Sequence, residues 1–213
     1  VHVCHFLLPG KMGQLGGHQL DVYNWFLRVL PSTVMASGGV DYYNPESREW
    51  YDTVMAIFEY QTPAGPVRAL YQICNTNGNL GFYEKFLGDE GAMVISEQAG
   101  LVNLFREATA PDWERWVGLE FLKRTGATGG GGDSGAVMSV TETIQPVHYT
   151  VPVEFNEPYH KPHLENFFAA VRGQAQLTCP AAFAYPTTVA VFKTYEAIES
   201  GKKIELTAGD YAI

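Results

Sequence analysis

The chain has 213 residues, of which 46% are hydrophobic and 17% charged, a balance that describes an ordered globular protein and excludes a disordered one. A net charge of -9 argues against nucleic acid or an anionic membrane surface as partner, and says little about a small neutral substrate. No apolar run approaches the ~20 residues that span a bilayer, and no signal peptide is visible. The three cysteines, Cys4, Cys74 and Cys179, are widely spaced and odd in number. They suggest no disulfide framework and read as buried thiols in a reducing compartment, so a cytoplasmic location is expected.

Residues 1–8 form an apolar-rich run that predicts a strand, ended by Pro9 and Gly10. Because the chain starts at Val1 with what already reads as a strand, an upstream portion is expected. Four glycines, Gly10, Gly13, Gly16 and Gly17, lead into a predicted helix over roughly 16–29, with Leu20, Val22, Trp25, Phe26 and Val29 at helical spacing and Pro31 closing it. From Ser32 the pattern changes to strands at 34–40, 53–60 and 67–76, rich in β-branched and aromatic residues. The turn-forming cluster at 62–65 predicts a hairpin between the last two. Further strands are expected at 82–87, 92–96 and 101–105, with 88–91 and 98–100 as turns. Consecutive strands joined by short turns make an antiparallel sheet and not βαβ units.

Residues 112–124 carry Trp113, Trp116, Leu119 and Leu122 and predict a short irregular or helical piece. The glycine-rich stretch 126–135 reads as a mobile surface loop, and 137–143 as a further strand. Two helices follow. Pro162 opens the first, with Leu164, Phe167, Phe168 and Val171 on one face and Gly173 at its end. Pro186 opens the second, with Val189, Phe192, Tyr195 and Ile198 facing inward and Gly201 at its end. A final strand is expected at 203–207. With no repeat and no clear linker, residues 1–213 read as one α+β domain, an open, mainly antiparallel sheet backed by helices.

Several groups could carry chemistry. Residues 130–135 formally match the dinucleotide fingerprint G-x-G-x-x-G. The stretch lacks the preceding strand and following helix that would bring a pyrophosphate to a helix N-terminus, so it reads as loop, and no cofactor-binding residues are assigned. His2, Cys4 and His5, and again His160 and His163, have elements of metal-ligand spacing. Without a clustered carboxylate or a second cysteine pair they make no metal site, and no metal ligand is assigned. Near a helix start, His163 could instead line a pocket. Tyr42, Tyr43, Trp50 and Tyr51 concentrate beside Asp41 and Arg48; they suit stacking on a sugar face, or else a sheet-face or subunit contact. His18 and Asp21 lie one turn apart, so their side chains point to one side of the helix. Histidine moves protons near neutral pH, but the pair could equally be a structural hydrogen bond at a helix start.

The run from Gly16 to Asp21 (G-G-H-Q-L-D), followed by Trp25 and Phe26, resembles the G-x-H-x-x-D helix of the Gfo/Idh/MocA family, oxidoreductases named for glucose–fructose oxidoreductase, inositol dehydrogenase and a rhizopine-catabolism protein. The similarity continues in G-F-Y-E-K-F-L-G-D-E-G at 81–91, around the family's G-x-x-G turn, and in H-L-E-N-F-F-A-A-V-R-G at 163–173. It ends with C-P-A-A-F-A-Y-P at 179–186 leading to Y-E-A-I-E-S-G-K-K at 195–203. Four stretches in the family's order span almost the whole chain.

The resemblance implies the C-terminal domain of such an enzyme, the fold also described as glyceraldehyde-3-phosphate-dehydrogenase C-terminal-like. The Rossmann domain, with the nucleotide fingerprint and the E-K-P motif, is expected outside this chain. It further implies a substrate-binding and oligomerising domain of an oxidoreductase that passes a hydride between a sugar, polyol or related hydroxy compound and NAD or NADP. None of that nucleotide is expected on this chain alone, which by itself is expected to be inactive. By match, His18 is the catalytic acid/base, with Lys11, Gln14, Asp21 and His163 as substrate-binding residues. A homo-oligomer through the sheet face is implied as well. Gln14 departs from the pattern D-x-G-x-H, which places a carboxylate four residues before the histidine. Glutamine can hydrogen-bond a hydroxyl but cannot raise a histidine's basicity as a carboxylate does. The alternative reading is a non-catalytic binding or assembly domain derived from this family.

Overall fold

Alternation of buried and exposed residues at period two organises the two long strands at 53–62 and 65–74. The computed structural model describes residues 12, 16–48, 50–76, 82–96, 99–125, 146–152, 154 and 156–212. In chain order the elements are α1 (Gly17–Leu27), β1 (Pro31–Gly39), β2 (Thr53–Thr62), β3 (Gly65–Cys74), β4 (Glu84–Leu87), β5 (Gly91–Ile95), β6 (Asn103–Arg106), α2 (Glu114–Gly118), β7 (Lys123–Arg124), β8 (Val147–Thr150), α3 (His160–Val171), α4 (Ala181–Ser200) and β9 (Ile204–Glu205). They fall into two compact units, Val1–Asn79 with Asn166–Ile213, and Leu80–Glu165. Each unit holds one open antiparallel sheet, in the orders β3-β2-β1-β9 and β4-β5-β6-β8-β7. The α+β class and the antiparallel pairing are those expected, with the strands divided between two sheets.

In the first unit Val34, Val54, Ala56, Phe58, Tyr60 and Tyr71 are buried on one sheet face, while Met35, Met55, Ile57 and Leu70 are exposed. Full burial of one such side chain stabilises by about 1.5–3 kcal/mol. The hairpin forms as expected, Thr62 pairing with Gly65. Helix α4 lies against β1 and α1 and buries Thr187, Ala190, Val191, Thr194 and Ala197. Of the expected inward set, Val189, Tyr195 and Ile198 are half-buried, and Phe192, at 48% exposed, is the one corrected. At Gly38 of β1 the packing is close: a Cβ there would meet Thr53 O at 2.6 Å and Ile198 Cδ1 of α4 at 3.2 Å. The helix also begins at Ala181, not at Pro186, which sits inside it. Pro180 supplies the extended residue before its first turn (φ -69°, ψ 162°), and its carbonyl accepts from the Phe183 and Ala184 amides at 2.9 and 3.2 Å.

Helix α1 buries Leu20 and Tyr23, whereas Trp25 and Phe26 are exposed, another correction to the expected core face. It ends at Arg28, not at Pro31. Arg28 takes the left-handed conformation (φ 59°) and its amide donates to Asn24 O at 2.9 Å. No residue of α3 is buried, and Leu164, Phe167, Phe168 and Val171 are all exposed. Gly173 (φ 71°) and Gly201 (φ 64°) terminate α3 and α4 in the left-handed region, as the sequence predicts. Cys179 is exposed and Cys74 half-buried, so neither is the fully buried thiol expected.

In the second unit the turn from Gly88 to Gly91 closes with the Gly88 amide donating to Gly91 O at 2.8 Å. Gly91 is required by close approach: a Cβ there would lie 2.3 Å from Phe105 O and 3.0 Å from Trp113 Cη2. Trp113 packs at a tilt against buried Tyr149, with ring centroids 5.4 Å apart, and Leu122 is buried beyond the short helix α2. β8 was not expected; it completes the sheet between β6 and β7. The strands expected at 1–8 and 137–143 and the glycine loop at 126–135 lie outside the described residues. Among the described residues no helix is long and apolar enough to cross a membrane.

Candidate functional site

The start of α1 is set by a close contact. A Cβ on Gly16 would lie 2.7 Å from Met12 Sδ and 2.9 Å from the Tyr71 hydroxyl, so any larger residue here would have to push those side chains aside. Tyr71 is buried and its hydroxyl has no partner among the described residues; burial pushes its pKa far up, so it stays a neutral phenol. Immediately after this contact comes His18. Its side chain is exposed and, among the described residues, makes no hydrogen bond or ion pair.

Asp21 is not the hydrogen-bond partner of His18. Its Oδ1 accepts from the Thr187 hydroxyl of α4 at 3.1 Å, and that same oxygen of Thr187 accepts from Asn24 Nδ2 at 3.2 Å. The chain Asn24–Thr187–Asp21 thus ties the histidine helix to α4. Partial burial and then the Asp21 carboxylate push the Cys179 thiol up, which favours the unreactive thiol over the thiolate. The structural alternative for His18, a bond to its own carboxylate one turn on, is therefore not what the structure shows.

Of the expected site residues, His18 and Asp21 share the first turns of α1. Lys11 and Gln14 lie outside the described residues. His163 is exposed on α3 and belongs to the unit Leu80–Glu165. Among the described residues there is no group of three His, Cys, Asp or Glu able to hold a metal ion. His2, Cys4 and His5 are outside that set.

Sequence reasoning missed the role of Asp52. It is fully buried, and Oδ1 accepts from the Asp41 amide at 3.1 Å and the Thr53 hydroxyl at 3.0 Å. Oδ2 accepts from the amides of Tyr42 and Tyr43 at 3.1 and 3.0 Å. Burial pushes this carboxyl up, but the donors from Tyr43, Asp41, Tyr42 and Thr53 outweigh it and hold it at about 2. One carboxylate therefore fixes the backbone of the aromatic cluster. An aspartate at the foot of a predicted strand was the only available signal.

No protein-family model matches this sequence, and no curated protein is similar to it. Solved structures are similar. An NAD-binding protein from Listeria innocua shares 14% identity at a TM-score of 0.58, over 95% of this chain and 49% of its own. An aldose–aldose oxidoreductase from Caulobacter crescentus, complexed with glycerol, shares 12% at 0.58, over 93% and 48%. The fold is that of the C-terminal half of Gfo/Idh/MocA-type oxidoreductases. The WlbA dehydrogenase from Bordetella pertussis, in complex with NADH and UDP-GlcNAcA, shares 13% at 0.53, over 93% and 46%. The chain spans about half the length of the solved structures it matches. Within this Gfo/Idh/MocA fold, the exposed histidine stands on the first helix and precedes the four-stranded sheet.

Proposed function

We propose that this chain is the substrate-binding and oligomerising half of an NAD(P)-dependent oxidoreductase acting on a sugar, polyol or related hydroxy compound. The observation that carries the proposal is the match of nearly the whole chain to half of each similar oxidoreductase, with His18 exposed on the helix where the family resemblance places the acid/base. Nicotinamide chemistry would be supplied by the half that this chain does not match, whether NAD or NADP. In this proposal His18 takes the hydroxyl proton as the carbonyl forms and returns it in the reverse direction. Asp21 spends one oxygen on Thr187 and has its second oxygen for a substrate hydroxyl. Lys11 and Gln14, from the glycine-rich run before His18, complete the substrate contacts. The outer sheet face, with Met35, Met55, Ile57 and Leu70 exposed, supports assembly of identical subunits in a cytoplasmic enzyme.

The test is nucleotide binding and sugar oxidation by the complete gene product. The proposal expects NAD(P) binding, and expects His18→Ala to lower turnover by about 10²–10⁴-fold while nucleotide binding persists. A product that binds no nucleotide would refute it. Gln14, standing where the family has a carboxylate, favours the second reading of a non-catalytic binding or assembly domain. That reading expects folding and self-association without turnover.

A further inference from the structure

The connection between β1 and β2 is far longer than the two-residue turn between β2 and β3, and its described residues are held rigidly. Besides the four bonds to Asp52, the Asp52 amide donates to Gly39 O at 3.0 Å, and Asn75 N donates to Asp52 O at 2.9 Å. Asn44 Oδ1 accepts from the Glu46 amide at 2.9 Å, closing the tip of the loop. Arg48 Nε donates to Trp50 O at 3.1 Å, and its guanidinium lies 4.2 Å over the Tyr43 ring. Tyr42 meets Tyr43 edge-on, with centroids 5.1 Å apart. Yet Tyr42, Tyr43 and Trp50 remain 72%, 38% and 39% exposed. The terminal nitrogens of Arg48 make no hydrogen bond among the described residues. Rigid aromatic faces with a fixed guanidinium lose little conformational entropy when a ligand binds.

Position adds to this. Gly16, two residues before His18, sits against Tyr71. Tyr71 pairs with Ala56, and the loop rejoins the sheet at Thr53, three residues away, about 10 Å of strand. Tyr51, at the end of the loop, meets the Tyr195 ring of α4 at a tilt, with centroids 5.4 Å apart, so this end of the loop reaches the helix-covered face. The loop therefore borders the end of the sheet at which α1 begins.

We infer that Tyr42, Tyr43, Trp50 and Arg48 form a binding platform for a pyranose ring that carries an anionic group. The aromatic faces stack on the C–H face of the ring, and Arg48 pairs with a carboxylate or phosphate substituent. This deepens the proposed function by naming a substrate class, and rests on that reading only for the consequence that the bound sugar is also oxidised.

The test is a titration of the ¹⁵N-labelled chain, followed by amide shifts, with glucuronate, glucose 6-phosphate and glucose as probes. The inference expects shifts concentrated in 41–51 with both anionic sugars, and affinity for glucose weaker by tenfold or more. Arg48→Gln should erase the preference for the anionic probes, and Tyr42→Ala should weaken all three by about three- to tenfold. Both side chains lie at the surface, and unchanged spectra outside the loop verify folding. Preference for only one anionic probe identifies carboxylate or phosphate as the recognised group. Absence of shifts in 41–51, or unchanged affinities in both variants, overturns the platform. Failure of the complete gene product to bind nucleotide would overturn the oxidoreductase reading and leave the platform standing. Sugar oxidation unaffected in KM by Arg48→Gln would overturn the platform and leave the oxidoreductase.

Discussion

Thr187→Val tests whether the hydroxyl of α4 holds the histidine helix in place. Valine keeps the shape and the β-branch of threonine and removes only the oxygen. That oxygen both donates to Asp21 Oδ1 at 3.1 Å and accepts from Asn24 Nδ2 at 3.2 Å, so its loss leaves two polar groups without their partner. The Asn24 amide is poorly satisfied already, its Oδ1 being buried and unpartnered among the described residues. Stranding a buried donor or acceptor costs about 1–3 kcal/mol. Thr187 is 8% exposed and Asp21 half-buried, so water recovers part of the loss and about 1–2 kcal/mol is expected. For a chain of this size that lowers the melting temperature by about 2–8 °C. Urea denaturation followed by tryptophan fluorescence measures the change, and Thr187→Ser, which keeps the hydroxyl, should recover most of it. A double-mutant cycle with Asn24→Ala should show coupling of about 0.5 kcal/mol or more. Equal or higher stability of Thr187→Val, or additivity in the cycle, would refute the tie between the two helices.

Other outcomes follow from the same structure. Gly91→Ala places a Cβ 2.3 Å from Phe105 O, a backbone atom that cannot swing aside, and should cost at least about 1–3 kcal/mol. Gly100→Ala, with open space around it, is the control, and thermal melts compare the two. Phe58→Ala, at a fully buried site, should cost about 3–5 kcal/mol. By contrast Phe192→Ala should stay within about 0.5 kcal/mol in the same melts, because Phe192 is 48% exposed; a large loss there would restore the inward face expected from sequence. Acid stability has a definite sign. Asp52 and Asp210 are held at about 2 against an ordinary 3.8, the second by the Thr207 hydroxyl and amide and by Lys193. A depressed folded pKa means that their contribution is complete above about 4 and is lost as the pH falls from there towards 2. Melting temperatures recorded from pH 6 to 2 should fall over that window, less steeply in Asp52→Asn and Asp210→Asn measured each against its own value at pH 6. An unchanged slope in both variants would contradict the assignment.

Strand positions were legible because β-branched and aromatic enrichment and the turn clusters between runs are local properties. The runs at 34–40, 53–60 and 67–76 became β1, β2 and β3 with bounds shifted by no more than a few residues, and the cluster at 62–65 closed its hairpin. Helix stops at Gly173 and Gly201 were legible for a similar reason, since a left-handed residue favours glycine whatever surrounds it. Facing was not legible. Val189, Phe192, Tyr195 and Ile198 fit a helical stripe as well as Thr187, Ala190, Val191, Thr194 and Ala197 do, and hydrophobicity favours the first set. The structure buries the second set, half-buries Val189, Tyr195 and Ile198, and leaves Phe192 exposed. Trp25 and Phe26 misled in the same way on α1.

At the candidate site the division is equally clear. His18 stood out by residue type and by its place after a glycine-rich lead-in, and both are properties of the sequence alone. That Asp21 bonds Thr187 rather than His18 depends on a residue 166 positions away, so only the tertiary structure could decide it. The same holds for Asp52, whose carboxylate turns a run of tyrosines into a fixed platform through amides 9–11 residues earlier in the chain. The sequence by itself determined which segments are strands and helices and which residues carry chemistry. Tertiary structure decided what those residues touch, because packing distance and hydrogen-bond partners are set between segments that no local pattern links.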